Sequence, residues 1–190
     1  MTGEVALPAT IQPEATASRA ARMDEESFRA FYADTARPLS RYLSRITGDA
    51  RLAEDLLQES YCRFLESSPP GLDPARRQSY LFRIATNLVR DAWRARRAET
   101  VPVAETLADP RGETAQRIEV RSDLSAALLG LKLQERQLLW LAHVEGWSHR
   151  EIAAVIGLKE ASVRPLLHKA RHNLAELLAR RGFAPGRQST

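Results

Sequence analysis

Residues 148–158 read SHREIAAVIGL, and this stretch decides the fold of the second half of the chain. Ser148, followed three residues later by Glu151, has the form of a capping box, in which the two side chains satisfy free N–H groups at the start of a helix. Ala153 is small where a second helix must cross closely, and Gly157 stands where a tight turn needs a positive φ angle. The stretch therefore predicts a short helix, a turn and a second helix.

The second helix is expected to follow the turn as one continuous amphipathic segment. Its apolar residues recur at spacings of four, three, four and three, and they are Val163, Leu167, Ala170, Leu174 and Leu177. The helix also exposes three basic residues and two histidines, the latter being His168 and His172, and this composition is typical of a recognition helix that lies in the major groove of DNA. An αα-hairpin with a solvated basic face is the alternative. The predicted DNA contacts are Arg164, His168, Lys169 and Arg171.

The first half of the chain predicts three helices. The first begins near Asp24 and carries apolar residues at helical spacing, and we expect Pro38 to bend or divide it. Residues 47–49 interrupt the pattern. Its apolar positions are Phe28, Phe31, Tyr32, Leu39, Tyr42, Leu43 and Ile46.

Two further helices follow this break. Asp49 is a plausible N-cap for a helix that runs to about Glu66, with Leu52, Leu56, Leu57, Phe64 and Leu65 as apolar anchors. A polar, proline-containing stretch at residues 67–71 ends it. The third helix is expected from residue 74 or 76 to Arg97.

One face of the third helix is basic. Its polar residues recur at spacings of four, three, four and three, and they are Arg83, Asn87, Arg90, Arg94 and Arg97. Arginine binds phosphate in bidentate fashion and asparagine can read a base edge, so we predict that all five contact nucleic acid. Tyr80, Phe82 and Trp93 could stack on unpaired bases, although a place in the core explains each of them more simply.

The second helix differs because its polar face is acidic. Glu54, Asp55, Gln58 and Glu59 lie opposite the leucines. Nucleic acid would be repelled there, so this face suggests a basic protein partner, with a solvated surface as the alternative. No glycine-rich phosphate loop and no nucleophile–base arrangement accompanies the carboxylates. The sequence thus gives no support to an enzyme.

The distribution of charge completes the expected organisation. The net charge is +4, with +2 in residues 1–97, −2 in residues 98–117 and +4 in residues 118–190. Two basic segments around an acidic one suggest a polyanion contacted at two places. We predict an all-α chain of two small helical domains joined by a flexible acidic linker. Its parts are a disordered extension (1–23), a first domain (24–97), the linker (98–117), a helix-turn-helix domain (118–181) and a tail (182–190).

Several classes of protein are disfavoured by the same sequence. Cys62 is the one cysteine, which excludes a disulfide framework within the chain, and we expect it to pack in the core of the first domain. His168 and His172 stand at metal-ligand spacing, but the sequence offers no third ligand, so we predict no metal and no cofactor. No apolar run reaches membrane-spanning length and no secretory signal is evident, which makes the cytoplasm the expected compartment.

Together these motifs resemble the extracytoplasmic-function (ECF) sigma factors of RNA polymerase. Residues 53–59 are similar to the family's region 2.2, residues 80–88 and the arginine-rich continuation to regions 2.3 and 2.4, and four short motifs within residues 135–171 to region 4. The similarity covers about residues 26–97 and 120–179, in the family's order. It implies sigma region 2 for the first domain and sigma region 4 for the second.

The resemblance also implies partners. Asp55, Gln58 and Glu59 would dock on the β′ clamp helices of core RNA polymerase, and region 4 would meet the β flap. The third helix would recognise and help to melt the minus-ten promoter element, with Asn87 nearest an unpaired base. The helix-turn-helix would read the minus-thirty-five element. Anti-sigma factors are common partners in the family, although no residue here identifies one.

This chain departs from the family pattern at three places. Gln134 stands where proline is usual, and Lys159 stands where a serine often caps the recognition helix. Pro165-Leu166 replaces a polar and a basic residue, which predicts a kink and an altered minus-thirty-five preference. Leu166 could either touch a thymine methyl group or belong to the core.

Two other functions are alternatives to a sigma factor. A one-component or response-regulator transcription factor would need a sensor or receiver domain, and residues 1–97 lack the alternating strand–helix pattern of a receiver. An adaptor would bind polymerase or another protein without reading DNA, its basic faces merely solvated. Direct polymerase binding separates the first from a sigma factor, and promoter-dependent transcription separates the second.

Overall fold

The computed structural model describes residues 23–69, 71–99 and 123–183, with the side chains of 97–99 left out. Within these ranges all regular secondary structure is helical, and residues 123–129 form a short helical segment. The predicted extension before Met23, most of the predicted linker and the end of the tail lie outside the described residues. The longer helices are α1 (Glu25–Thr47), α2 (Ala50–Ser67), α3 (Pro74–Glu99), α4 (Leu133–His143), α5 (His149–Ile156) and α6 (Glu160–Ala179).

The junction between α1 and α2 follows the sequence closely. Gly48 ends α1 in the left-handed conformation with φ 71°, and its N–H donates to the carbonyl of Ser44. The Asp49 carboxylate then accepts a hydrogen bond from the Leu52 N–H over 3.0 Å, which confirms the predicted N-cap. Cap and glycine together reverse the chain in two residues, so α2 packs back on α1.

Two helices contain a proline and neither is divided by it. α1 continues through Pro38 and α6 through Pro165. Each proline deprives the carbonyl four residues earlier of its helical donor. Those carbonyls belong to Asp34 and Ala161, which are exposed, so solvent can take the place of the missing N–H. Of the two alternatives expected for Pro38, a bend or a division of the helix, the structure excludes the division.

The first three helices bury one aromatic and aliphatic core. Tyr42, Phe64 and Phe82 are fully buried at its centre. The Tyr42 hydroxyl shares a 2.8 Å hydrogen bond with the Thr86 hydroxyl, which ties α1 to α3, and burial raises the pKa of Tyr42 to about 12. Cys62, expected in this core, is exposed. The expectation was wrong because Cys62 lies half a turn from the buried stripe of α2.

Leu65 also departs from the prediction. It was expected to anchor α2 in the core, but 43% of its surface is exposed. The side chain follows Phe64, whose ring is buried against Phe31 at a centroid distance of 4.8 Å. Consecutive helical residues point about 100° apart, and at this position the direction of Leu65 leads to the surface.

The two predicted domains pack directly on each other. α3 lies against α5, α1 lies against α4, and a single hydrophobic cluster runs through both halves. At the boundary the rings of Phe82 and Trp147 meet edge to face at a centroid distance of 4.9 Å. The Arg45 guanidinium also donates to the Ser125 hydroxyl. The sequence left the relative placement of the halves open, whereas the structure joins them through shared apolar surface.

The contact between Gly48 and Leu129 gives a test of this packing. A Cβ atom on Gly48 would lie 2.7 Å from Leu129 Cδ2, whereas one on Gly71 would meet nothing within 4 Å. Both glycines have positive φ angles, so each alanine variant should lose about 1 kcal/mol of unfolding free energy to backbone strain. We expect Gly48→Ala to lose about 1 kcal/mol more, because Leu129 must shift. Urea unfolding measures both, and equal losses would show that the contact contributes nothing.

Candidate nucleic-acid and polymerase interfaces

The structure contains the predicted basic face of α3, but one of the five predicted residues, Arg90, points away from it. Arg83, Asn87 and Arg94 are exposed on α3. The Arg83 guanidinium lies 5.2 Å from the centre of the Tyr80 ring, and Arg94 Nη1 lies 3.2 Å from Asp91 Oδ1. Such exposed pairs are weak and exchange readily for phosphate contacts. The side chain of Arg97 is not described.

Arg90 belongs to the same stripe but points into the contact between the halves. Its Nη2 donates a 2.6 Å hydrogen bond to the carbonyl of Ile156, the last residue of α5. Partial burial lowers the pKa of Arg90, while the tyrosine and aspartate nearby counteract this effect. A cation at a helix C-terminus satisfies carbonyls that lack helical partners. In this arrangement the guanidinium caps the first helix of the helix-turn-helix.

The aromatic residues of α3 are part of the packing. Phe82 is fully buried between Tyr42 and Trp147. Tyr80 is partly buried and donates its hydroxyl hydrogen to the Ser67 carbonyl over 2.9 Å. Trp93 is also partly buried. The structure thus places Phe82 in the core and Tyr80 against it, as the simpler explanation predicts, whereas Trp93 lies against the guanidinium of Arg136.

A second arginine of α3 is paired within the first half. Arg96 Nη2 lies 2.6 Å from Asp49 Oδ2, at the start of α2. This hydrogen bond, together with the one from the Leu52 N–H, lowers the pKa of the Asp49 carboxyl. Since the pair is about half exposed, it fixes the end of α3 against α2 more than it stabilises the fold.

The helix-turn-helix forms as the sequence predicts. The Ser148 N–H donates to Glu151 Oε2 over 2.8 Å and the Glu151 N–H donates to the Ser148 hydroxyl over 3.3 Å, which confirms the capping box. These hydrogen bonds lower the pKa of the Glu151 carboxyl. Gly157 ends α5 with φ 73°. Lys159 stands at the N-cap of α6 without a side-chain hydrogen bond, as expected for lysine.

Helix α6 buries one side and exposes the other. Val163, Leu167 and Ala170 are buried. Leu166 is partly buried and packs against the core, which decides between the two alternatives for this residue. All four residues predicted to contact DNA are exposed: Arg164, His168, Lys169 and Arg171.

Two imidazoles near this surface have polar neighbours. Arg171 Nε donates a 3.1 Å hydrogen bond to Nε2 of His143 at the end of α4. His172 Nε2 lies 3.2 Å from Glu176 Oε1. Within the described ranges, no three His, Cys, Asp or Glu side chains come close enough to hold a metal ion together.

The acidic residues of α2 lie on the outer surface of the first half. Asp55, Gln58 and Glu59 are exposed, and Glu54 lies beside them. Glu59 Oε1 accepts a 2.6 Å hydrogen bond from Arg63 Nε, which lies one turn later in α2. The leucine between them, Leu56, is buried, so the core holds this face in place. The surface can bind a basic partner without disturbing the packing.

The sequence did not single out Arg136 as a structural residue. Its side chain is 3% exposed, and Nη1 donates a 2.6 Å hydrogen bond to the carbonyl of Ile46 near the end of α1. Nε donates to the Leu131 carbonyl over 3.2 Å, and the guanidinium lies 5.0 Å from the centre of the Trp93 ring. Burial lowers the pKa of Arg136. One side chain thus connects α1, α3 and α4.

Comparisons with known proteins identify the family of this fold. The model of Sigma-70 region 2 matches residues 31–99, and that of Sigma-70 region 4 matches residues 121–174. The ECF RNA polymerase sigma factor SigL of Mycobacterium tuberculosis is 32% identical over 161 residues, which cover 82% of this chain and 91% of that protein. This chain belongs to the ECF sigma factors. It is therefore an RNA polymerase sigma factor, a protein that directs promoter recognition and transcription initiation.

Another relative agrees with this assignment, and two solved structures share the fold. The sigma factor CarQ of Myxococcus xanthus is 31% identical and covers 81% of this ECF sigma factor and 90% of its own length. RpoE of Bartonella quintana, solved with the anti-sigma factor NepR, has a similar fold, with a TM-score of 0.66 and 21% identity. The match covers 80% of this chain and 96% of RpoE. CnrH, solved with the cytosolic domain of CnrY, also has a similar fold, with a TM-score of 0.63 and 24% identity. The match covers 87% of this chain and 96% of CnrH.

Substitution of Arg136 tests how the halves are joined. Arg136→Met removes two charge-assisted hydrogen bonds and leaves the Ile46 carbonyl without its donor, so we expect a loss of about 2 kcal/mol in unfolding free energy. The same change at exposed Arg164 should alter stability by less than about 0.5 kcal/mol. Thermal and urea unfolding of both variants measure this. An Arg136→Met variant as stable as the parent would contradict the structural role of the guanidinium.

Proposed function

We propose that this sigma factor uses α3 for the minus-ten element, α6 for the minus-thirty-five element and the acidic face of α2 for core RNA polymerase. The observation that carries this division is the separation of charge on exposed helix surfaces. α3 and α6 each present cations suited to DNA phosphates, whereas α2 presents carboxylates that DNA would repel. Asp55, Gln58 and Glu59 would contact the β′ clamp helices, and the helix-turn-helix half would contact the β flap.

On α3, the exposed residues Arg83, Asn87 and Arg94 are the proposed minus-ten contacts. Arg97 remains a predicted member of this set. Arginine supplies affinity through phosphates, and the Asn87 amide has both donors and an acceptor for a base edge. The buried ring of Phe82 and the partly buried ring of Trp147 back this part of the helix, which supports its outward face.

Arg90 can join that set only after a change of partner. Its guanidinium caps Ile156, so DNA binding through Arg90 requires α3 and α5 to separate at this point. The names of the two elements place them about 25 base pairs apart, which is about 85 Å of duplex at about 3.4 Å per base pair. Two halves that share one core cannot span this length. We infer that polymerase holds them apart, and that the packed arrangement belongs to the free protein.

The same proposal covers compartment and partners. None of the described helices combines the length and apolar character needed to cross a lipid bilayer. RNA polymerase and DNA define a cytoplasmic site of action, and the protein acts there by binding, with no catalytic residue of its own. A sigma factor of similar fold, RpoE of Bartonella quintana, was solved with an anti-sigma factor, which supports an anti-sigma factor as a further partner of this chain.

Run-off transcription tests the proposed function as a whole. Core RNA polymerase is incubated with the full chain and a pool of genomic fragments, and the 5′ ends of the transcripts are mapped. We expect discrete starts that require the protein and share two upstream motifs. Core polymerase without the protein is the control. If folded protein yields no additional starts, the proposal fails.

The acidic face of α2 has a separate test. Asp55→Lys reverses a charge in the proposed polymerase contact and should weaken binding of core polymerase at least about tenfold, since like charges then face each other. Glu66→Lys makes the same change at another exposed acid of α2, outside the proposed contact, and should leave the affinity within about twofold. Titration of labelled protein with core enzyme measures both. Equal losses would place the contact elsewhere.

A further inference from the structure

The outward face of α6 carries a central stripe of uncharged residues and histidines with basic residues along its edges. Ala161, Pro165, His168 and His172 recur at spacings of four, three and four, and all four are exposed. This central stripe lies opposite the buried residues Val163, Leu167 and Ala170. The basic residues flank it, with Arg164 and Arg171 on one side and Lys169 on the other. The first half of the stripe is therefore apolar and its edges are charged.

This order matches the chemistry of a major groove. Side chains at the edges of a recognition helix meet phosphates, while those at its centre and N-terminal half meet base edges. Ala161 and Pro165 have no side-chain donor or acceptor, so hydrogen bonds cannot be the basis of their selection. The feature of a base pair in the major groove that an apolar group favours is the C5 methyl group of thymine.

We propose that Pro165, supported by Ala161, is a specificity-determining residue that contacts a thymine methyl group in the minus-thirty-five element. The proposal rests on the proposed role of α6 in reading duplex DNA. Leu166, which follows Pro165 in the sequence, packs against the core. Of these two apolar residues, Pro165 is therefore the one that lies on the exposed face. The ring of Pro165 has a fixed φ and loses little conformational entropy on binding, which suits it to a close apolar contact.

The continuity of α6 supports the same assignment. Pro165 lies at the sixth position of a helix that runs from Glu160 to Ala179 without interruption. The turn before it therefore stays helical, and Ala161 and Pro165 remain one above the other on the exposed face. Together they form a patch between Arg164 and Lys169, whose cations can hold the two phosphate backbones at either side.

Replacement of thymine by deoxyuridine tests the methyl contact directly. Reconstituted holoenzyme first selects an upstream element from randomised duplex DNA, and the selected promoter is then made with deoxyuridine at one thymine at a time. We expect one or two positions at which loss of the methyl group weakens holoenzyme binding roughly fourfold, the effect of one buried methyl group. With Pro165→Ser, thymine and uracil at those positions should bind equally well.

Two further variants separate the contact from effects on folding. Pro165→Val keeps an apolar side chain and should retain the preference for thymine. Pro38→Ser makes the same chemical change at the other proline inside a helix, in α1, and should leave the preference intact. Melting temperatures and circular dichroism are compared for all three proteins.

The possible results distinguish two kinds of failure. A selected upstream element that tolerates deoxyuridine at every position overturns the inference and leaves the proposed function standing. A thymine preference that survives Pro165→Ser overturns it as well, because another residue then contacts the methyl group. Selection that enriches no upstream element overturns the proposed reading of duplex DNA by α6, and this inference with it.

Discussion

The packed arrangement depends on a guanidinium that is buried between its two halves. Arg136 extends from α4 to the end of α1 and lies over Trp93 of α3, and its hydrogen bonds go to backbone carbonyls. A buried cation is costly unless it is well bonded, and carbonyls at a helix end are among the few neutral groups that can bond it. The apolar contact of Phe82 with Trp147 belongs to the same boundary between the halves.

Arg90 makes the reciprocal contact, from the first half to the second. It caps α5, whereas Arg136 caps α1, so each half supplies a cation to a helix end of the other. Such contacts are strong while water is excluded, and they exchange readily for phosphate or water once the surface opens. The proposed function requires the two halves to separate on polymerase, and this kind of joint suits that requirement. A larger apolar interface would resist separation more.

The joint affects the two proposed DNA-binding surfaces unequally. α3 gives up one arginine of its basic stripe to the contact, while the outward face of α6 stays exposed along its length. Core packing also removes Leu166 from that face and leaves Pro165 on it. The chemistry presented to DNA therefore follows from which side chains the core takes, as well as from the composition of each helix.

Helix positions, caps and the side of each helix that faces the core could largely be predicted from the sequence. The capping box at Ser148, the turn at Gly157 and the N-cap at Asp49 are local, because a few neighbouring residues satisfy one another's backbone groups. Periodicity likewise predicted correctly that Arg83, Asn87 and the cations of α6 are exposed. It also disfavoured a buried Cys62, which stands half a turn from the core stripe, although the prediction placed it inside.

Only the tertiary structure decided what lies against each face. Arg90 and Arg94 occupy equivalent positions on one stripe, yet one caps a distant helix and the other faces solvent. Arg136 looks like an ordinary surface residue in the sequence, and it is buried because three helices meet there. Periodicity reports the direction of a side chain relative to its own helix. It carries no information about a neighbour some 50 to 90 residues away, and long arginine side chains take their role from that neighbour.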